Sequence, residues 1–183
     1  MPSERRLDPE RRSRIIDATL EVIARDGVSG ATHRRIAAVA DVPLGSMTYH
    51  FDGIEHLLKE AFTRFAWSIS ARFDDLLGAA KTPEQALDAV ADVICGDFWQ
   101  EDNGRVMTLS YELYAYASRN PAMKSIMQDW MFRSQRALAQ HFDARTARTL
   151  DALIEGLTIH RSVEQEPTSR EDVLRVIRLI VNG

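Results

Sequence analysis

Cysteine is nearly absent: Cys95 stands alone in 183 residues, so no internal disulfide can form and a reducing cytoplasm fits the chain. No apolar run approaches the roughly 20 residues that a membrane-crossing helix needs, so no membrane association is expected. The opening MPSERRLDPERR is charged and has no apolar stretch after it, which excludes a secretory signal there. The nine glycines are scattered without GxGxxG, GKS or GKT, so no phosphate-cradling loop is expected. No GxSxG elbow marks a nucleophile. His33, His50, His56, His141 and His160 never pair at metal-ligand spacing. Neither an enzyme nor a cofactor nor a metal is therefore expected. Alternation with period two is also missing, so no strand is read anywhere.

Helical periodicity fills the chain instead. Residues 9–26 read as a first helix, with Pro9 in its first turn and Asp26-Gly27 ending it. A long helix starts near Gly53 and carries Leu57, Leu58, Ala61, Phe62, Phe65, Ile69, Phe73, Leu76 and Leu77 before Gly78–Pro83 breaks it. Further helices are read over 84–100, 105–118, 122–142, 144–161 and 170–181, with turns at Asp102-Asn103-Gly104 and Glu164–Ser169. Cys95 reads as a packed thiol in the first of these. The fold class is all-α, with about nine helices.

The informative stretch is Thr32–Leu58. Thr32 fits a helix N-cap, and Ile36, Ala37, Val39 and Ala40 form a small apolar face. A helix this short needs packing to persist. Asp41 sits at a sharp corner that demands a left-handed backbone, and Pro43 suits the opening turn of the next helix. Met47 and Phe51, four residues apart, point inward together. Leu44, Gly45, Ser46, Thr48, Tyr49 and His50 are left on or beside an open face whose chemistry suits a DNA major groove. This is a helix-turn-helix pattern.

Thr32, Ile36-Ala37, Ala40, Val42, Gly45, Tyr49-His50-Phe51 and Glu55-x-Leu57-Leu58 resemble the N-terminal signature of the TetR family of bacterial transcriptional regulators, and IIDATLEVIARDGVSGAT from Ile15 resembles its first helix. The resemblance covers roughly residues 10–60. It implies a DNA-binding unit over 1–52 and a ligand-binding and dimerisation domain over 53–183 that share the long helix. It also implies a palindromic operator as partner, a homodimer, and a small-molecule effector. Thr32, His33 and Arg34 join the open-face residues as the expected DNA contacts, Arg34 at a position that often reaches a base edge. Two departures stand out: Thr48 replaces an aromatic, whose phosphate contact Tyr49 would take over, and Ile54 replaces a Lys that anchors phosphate. A helical ligand-binding or interaction protein that no longer reads DNA is the alternative that Ile54 and the acidic balance of the chain keep open.

The net charge of −4 counts against a nucleic-acid partner until the chain is divided. Residues 1–72 hold 11 Lys+Arg against 10 Asp+Glu, and the remainder hold 12 against 17. The acidity belongs to the C-terminal part. Arg5, Arg6, Arg11, Arg12 and Arg14 cluster near the start, and local clusters rather than overall pI set phosphate attraction.

Trp67, Phe73, Trp99, Met107, Tyr111, Tyr114, Met127 and Trp130 fall on the fourth to seventh helices. Such residues are core in most helical proteins, but the resemblance implies a ligand cavity among the same helices, and aromatic rings with adaptable Met suit one. The last two helices are apolar on more than one side. Leu153, Leu157, Ile177 and Ile180 either form a four-helix dimer interface with their copies or complete the subunit core.

Overall fold

The computed structural model describes residues 10–99 and 104–183, without the side chain of Asp97. Among these residues the chain is all-α, with nine α-helices and no strand. They are α1 (Arg11–Gly30), α2 (His33–Val39), α3 (Gly45–His50), α4 (Gly53–Ala79), α5 (Pro83–Cys95), α6 (Arg105–Ala117), α7 (Pro121–Leu138), α8 (Ala144–Arg161) and α9 (Arg170–Asn182). A short 3-10 turn, Asp97–Trp99, follows α5. The expected Pro9 turn, Arg5 and Arg6, and Asp102-Asn103 lie outside the described residues.

Local chemistry sets the boundaries. Thr32, Thr82, Asn120, Asp143 and Ser169 each accept a backbone N–H in the first turn of the helix that they open. Gly27 takes φ 71°, ψ 172°, so α1 kinks where the sequence ends it, although helical geometry resumes as far as Gly30. The reading of one helix over 122–142 is corrected: α7 stops at Leu138. Asp143 then caps α8 through Arg145 N and Thr146 N, while the His141 ring meets the Leu77 carbonyl at 2.7 Å and pins the turn to α4.

Two apolar clusters hold the molecule. The first joins Ile15, Ile23, Ile36, Met47, Leu57 and Phe62 to Leu109 and Leu113 of α6 and Met123 of α7. The second joins Phe73 and Leu77 to Val90, Leu138, Leu150, Val173 and Ile177. Only α4 and α7 have buried residues in both clusters; α7 lies along α4, with Trp130 edge-on to Phe65 at 5.7 Å. The core behind the three N-terminal helices therefore continues into α6 and α7 rather than stopping at residue 52. No helix among the described residues is long and apolar enough to cross a membrane.

One polar contact ties the kink of α1 to α6. The Val28 N–H donates to Glu112 Oε2 at 2.8 Å, and a Cβ on Gly27 would stand 3.2 Å from Glu112 Oε1. Glycine here meets both a positive φ and a close neighbour. Glu112→Ala should lower stability by about 1–2 kcal/mol in urea unfolding and speed hydrogen exchange at the Val28 amide, whereas Glu112→Gln, which keeps an acceptor, should recover most of both. Unaltered exchange at Val28 in the Ala variant would show that this contact contributes nothing.

Candidate nucleic-acid interface and ligand cavity

The corner between α2 and α3 is built by Asp41, whose φ is +50°, and by the Val42 N–H, which donates to the Ala37 carbonyl at 3.0 Å. Met47 is fully buried and Phe51 nearly so, which fixes α3 against the first cluster. Gly45, Thr48 and Tyr49 share the open face, as residues three and four apart must. Tyr49 is 84 % exposed and Leu44 half exposed. Thr48 is exposed, with its hydroxyl donating to the Gly45 carbonyl at 3.3 Å. Ser46 corrects the reading of an open-face residue: it is 8 % exposed, and His50, four residues on, is half-buried on the same flank. The His50 ring stands edge-on to Tyr49 at 4.8 Å.

On α2, Thr32 is exposed and its hydroxyl accepts from the Arg35 N–H. His33 is half-buried, and its Nε2 has no partner among the described residues. The nearby arginines differ in what they do. Arg35 pairs with Asp26 at 3.6 Å; Arg25 also bonds Asp26 and holds that carboxyl below its ordinary pKa. Arg12 pairs with Glu60 and lies over the Phe51 ring, and Arg64 pairs with Asp17. Arg34 is exposed and engages no described residue. Ile54 is half-buried against the first cluster, so it serves packing where the family pattern has a cation.

The opening of α4 is held by His56 rather than by an Asp52 cap. The Asp52 N–H donates to His56 Nδ1 at 3.0 Å, which leaves the proton on Nε2 facing Glu60 at 2.8 Å. Arg12 and His56 thus converge on one carboxylate beneath Phe51.

Where the two apolar clusters meet, a cavity opens between α4, α6, α7, α8 and the 3-10 turn. Of the residues expected there, Phe73, Trp99, Met107, Tyr111, Tyr114 and Trp130 line it. Two do not. Trp67 is 53 % exposed on the outer face, where the Arg133 guanidinium stacks on it at 4.5 Å. Met127 is buried in the first cluster. Helix α5 contributes nothing to the lining, while α8 supplies Asp151, Ile154, Glu155, Thr158 and Ile159, which the sequence reading missed. The signal was present: positions 151, 154, 155 and 158 share one helical stripe.

The Tyr111 hydroxyl shares a hydrogen bond with Ser162 just past α8, closing one side of the mouth. Burial pushes the Tyr114 hydroxyl far above its ordinary pKa, and its hydrogen bond to Glu155 adds to the shift, so Tyr114 remains a donor. Gln135 Nε2 donates to Asp151 Oδ2 at 3.0 Å. Three buried polar atoms on the wall have no partner among the described residues: Ser70 Oγ, Trp99 Nε1 and Thr158 Oγ1.

On the far side, Leu153, Leu157 and Ile180 are half-buried and pack against the second cluster. Ile177 is fully buried inside the subunit, because α9 lays it against α5 and α8, and it has no surface to offer a partner. Leu179, at 69 % exposure, and Val176 are the outward residues of that helix.

Residues 15–61 match the family model of bacterial regulatory proteins of the tetR family, and residues 81–183 match that of the tetracyclin repressor-like C-terminal domain. A candidate transcriptional regulator from Streptomyces coelicolor A3(2), SCO7518, is 51 % identical with a TM-score of 0.90, over 96 % of this chain and 100 % of its own. The multidrug binding protein EbrR in complex with ethidium is 33 % identical with a TM-score of 0.78, over 95 % and 99 %. The HTH-type transcriptional regulator PksA of Bacillus subtilis is 26 % identical over 92 % of this chain and 86 % of its own.

The unpartnered hydroxyls on the cavity wall have a measurable consequence. Removing a polar group that has no hydrogen bond to lose is neutral or stabilising, whereas stranding its former partner costs about 1–3 kcal/mol. Thr158→Val should therefore leave the ligand-free protein as stable as the parent, or up to about 1 kcal/mol more stable, in chemical denaturation. A clear loss would mean that the hydroxyl is satisfied in the folded chain.

Proposed function

The chain belongs to the TetR family of bacterial transcriptional regulators, and on that premise we propose that it represses transcription as a homodimer and leaves its operator when a small molecule fills the cavity. That it is a DNA-binding regulator follows from the family; the contacts, the dimer, the effector and the cytoplasmic setting are the proposal. Residues 1–52 act as the DNA-reading unit and 53–183 as the sensing and pairing unit, with α4 common to both.

The observation that carries the reading is the contrast on the helix-turn-helix surface. Arg34 is exposed with no partner among the described residues while Arg12, Arg25, Arg35 and Arg64 are tied to carboxylates, and Tyr49 stands almost wholly in solvent beside Gly45 and Thr48. An exposed Arg suits a guanine edge, and Tyr49, Thr48 and Thr32 suit phosphate oxygens. Of the N-terminal arginines, Arg12 is committed to Glu60 and Phe51. A two-fold dimer sets two copies of α3 against one face of a palindrome, roughly 34–36 Å apart. EbrR, which binds ethidium, supports a small-molecule effector for this chain.

Selection of bound sites from random duplex DNA, followed by salt titration, tests the reading. A palindrome is expected, with affinity falling steeply as salt rises. Arg34→Ala should cost about 1–3 kcal/mol on the selected site and relax preference at one base pair. Tyr49→Ala should weaken all sequences alike. No binding to any duplex at low salt would favour the alternative, a helical ligand-binding protein that does not read DNA.

Leu153, Leu157 and Ile180, extended outward by Val176 and Leu179, form the proposed dimer face. Leu179→Asp should turn a dimer into a monomer in sedimentation at micromolar concentration without loss of helix content, because the side chain is exposed in the subunit. A parent protein that sediments as a monomer would refute the face.

A further inference from the structure

We propose that the cavity selects organic cations with a flat aromatic body and a hydrogen-bond acceptor, and rejects anions of the same shape; the inference rests on this cavity being the effector site. Asp151 and Glu155 stand one helical turn apart on α8 and both line the chamber. No Lys, Arg or His is among its described lining residues. The partners of these two carboxylates are neutral: the Gln135 amide and the Tyr114 hydroxyl.

Elsewhere in this protein, acids meet arginine. Asp88 and Asp92 pair with Arg170, Glu84 with Arg178, Asp17 with Arg64, and Asp129 with Arg133. Three arginines are engaged by neutral groups. Arg72 stacks on Phe98 at 4.6 Å and donates to the Phe98 carbonyl; Arg133 lies over Trp67; Arg161 bonds the Thr168 and Cys95 carbonyls. Two half-buried carboxylates facing an apolar wall, with no counter-cation among the described residues, attract a positively charged guest.

The remaining wall says what else the guest carries. Trp99, Tyr111, Tyr114 and Trp130 offer ring faces and edges, which attract cations as well as flat apolar bodies. The indole N–H of Trp99 only donates, so it calls for an acceptor on the guest. Ser70 and Thr158, each more than nine-tenths buried, hold hydroxyls on the same wall with no partner among the described residues.

Three probes of one shape, each with a methoxy oxygen as acceptor, separate charge from fit: 2-methoxy-10-methylacridinium, 2-methoxyacridine at mildly alkaline pH where it is uncharged, and 2-methoxyacridine-9-carboxylate. Binding is read on the full chain without DNA, from quenching of tryptophan fluorescence and by calorimetry. The cation should bind about tenfold or more tighter than the neutral probe, and the anion should bind weakest. The double variant Asp151→Asn with Glu155→Gln, and each single variant, should lose that preference while the neutral probe binds as before; circular dichroism confirms that they fold. Equal binding of the three probes, no binding by any, or an undiminished cation preference in the double variant would overturn the proposal. Release from operator DNA is measured separately. Cation binding that leaves DNA affinity unchanged would uphold the charge selection and refute only the effector role.

Discussion

One straight helix has to satisfy two cores at once. Leu57, Leu58, Ala61, Phe62, Phe65 and Ile69 of α4 lock into the first cluster, and Phe73 and Leu77 lock into the second. At 1.5 Å per residue its 27 residues span roughly 40 Å. The hydrogen-bonded backbone does not stretch, so neither cluster can shift along the axis without the other sensing it. The cavity lies where the clusters separate, between Ile69 and Phe73. A guest there replaces the missing packing between two halves already joined by one rod. Its position is that of a wedge.

A second connection runs through α6. Tyr111 and Tyr114 face the cavity, while Glu112, between them, holds the Val28 amide at the kink of α1. A movement of α6 that re-seats the tyrosines therefore acts on the helix against which α2 packs. Coupling between distant sites in proteins typically amounts to about 1–3 kcal/mol. A hydrogen bond to a charged acceptor contributes about 1.5–3 kcal/mol. The two scales match, so one such contact can carry a full allosteric response, and no large rearrangement is required.

The helix-turn-helix was readable because its signals are local. Thr32, Asp41, Met47 and Phe51 act within a few residues of themselves, and each sits in the geometry that its chemistry requires, whereas Pro43 lies just before α3 rather than in its first turn. Ser46 was misjudged because a six-residue helix is nearly all flank, and the inward side takes its edge residues too. Trp67 was misjudged by composition alone: Phe65 and Ile69 face inward, and a residue midway between them on a helix faces out. Ile177 shows a different limit. An amphipathic helix has one apolar stripe that fits a subunit core or a partner equally well, and only the placement of α5 against α9 decides between them. The carboxylates of α8 were missed because an acid on a helix usually faces water, and long-range packing alone turned these two inward.

Charge divides the molecule as the helices do. The N-terminal part is near neutrality with Arg34 exposed and without a described partner, and the C-terminal part carries the excess of acid. A polyanion approaching either half feels attraction only at the first and repulsion from the second, so the asymmetry orients the protein on DNA before any base is read. Beneath Phe51 the same economy of charge recurs at short range, where Arg12 and His56 share Glu60. Those two side chains fix the end of α3 and the start of α4 to each other instead of projecting outward. Under the proposed reading, phosphate contact on this surface falls to Tyr49, Thr48 and Thr32, and Arg34 is kept for a base edge. Ile54 packs against the first cluster where the family pattern has a cation, so on that reading binding would rest on the open face of α3 and the start of α2.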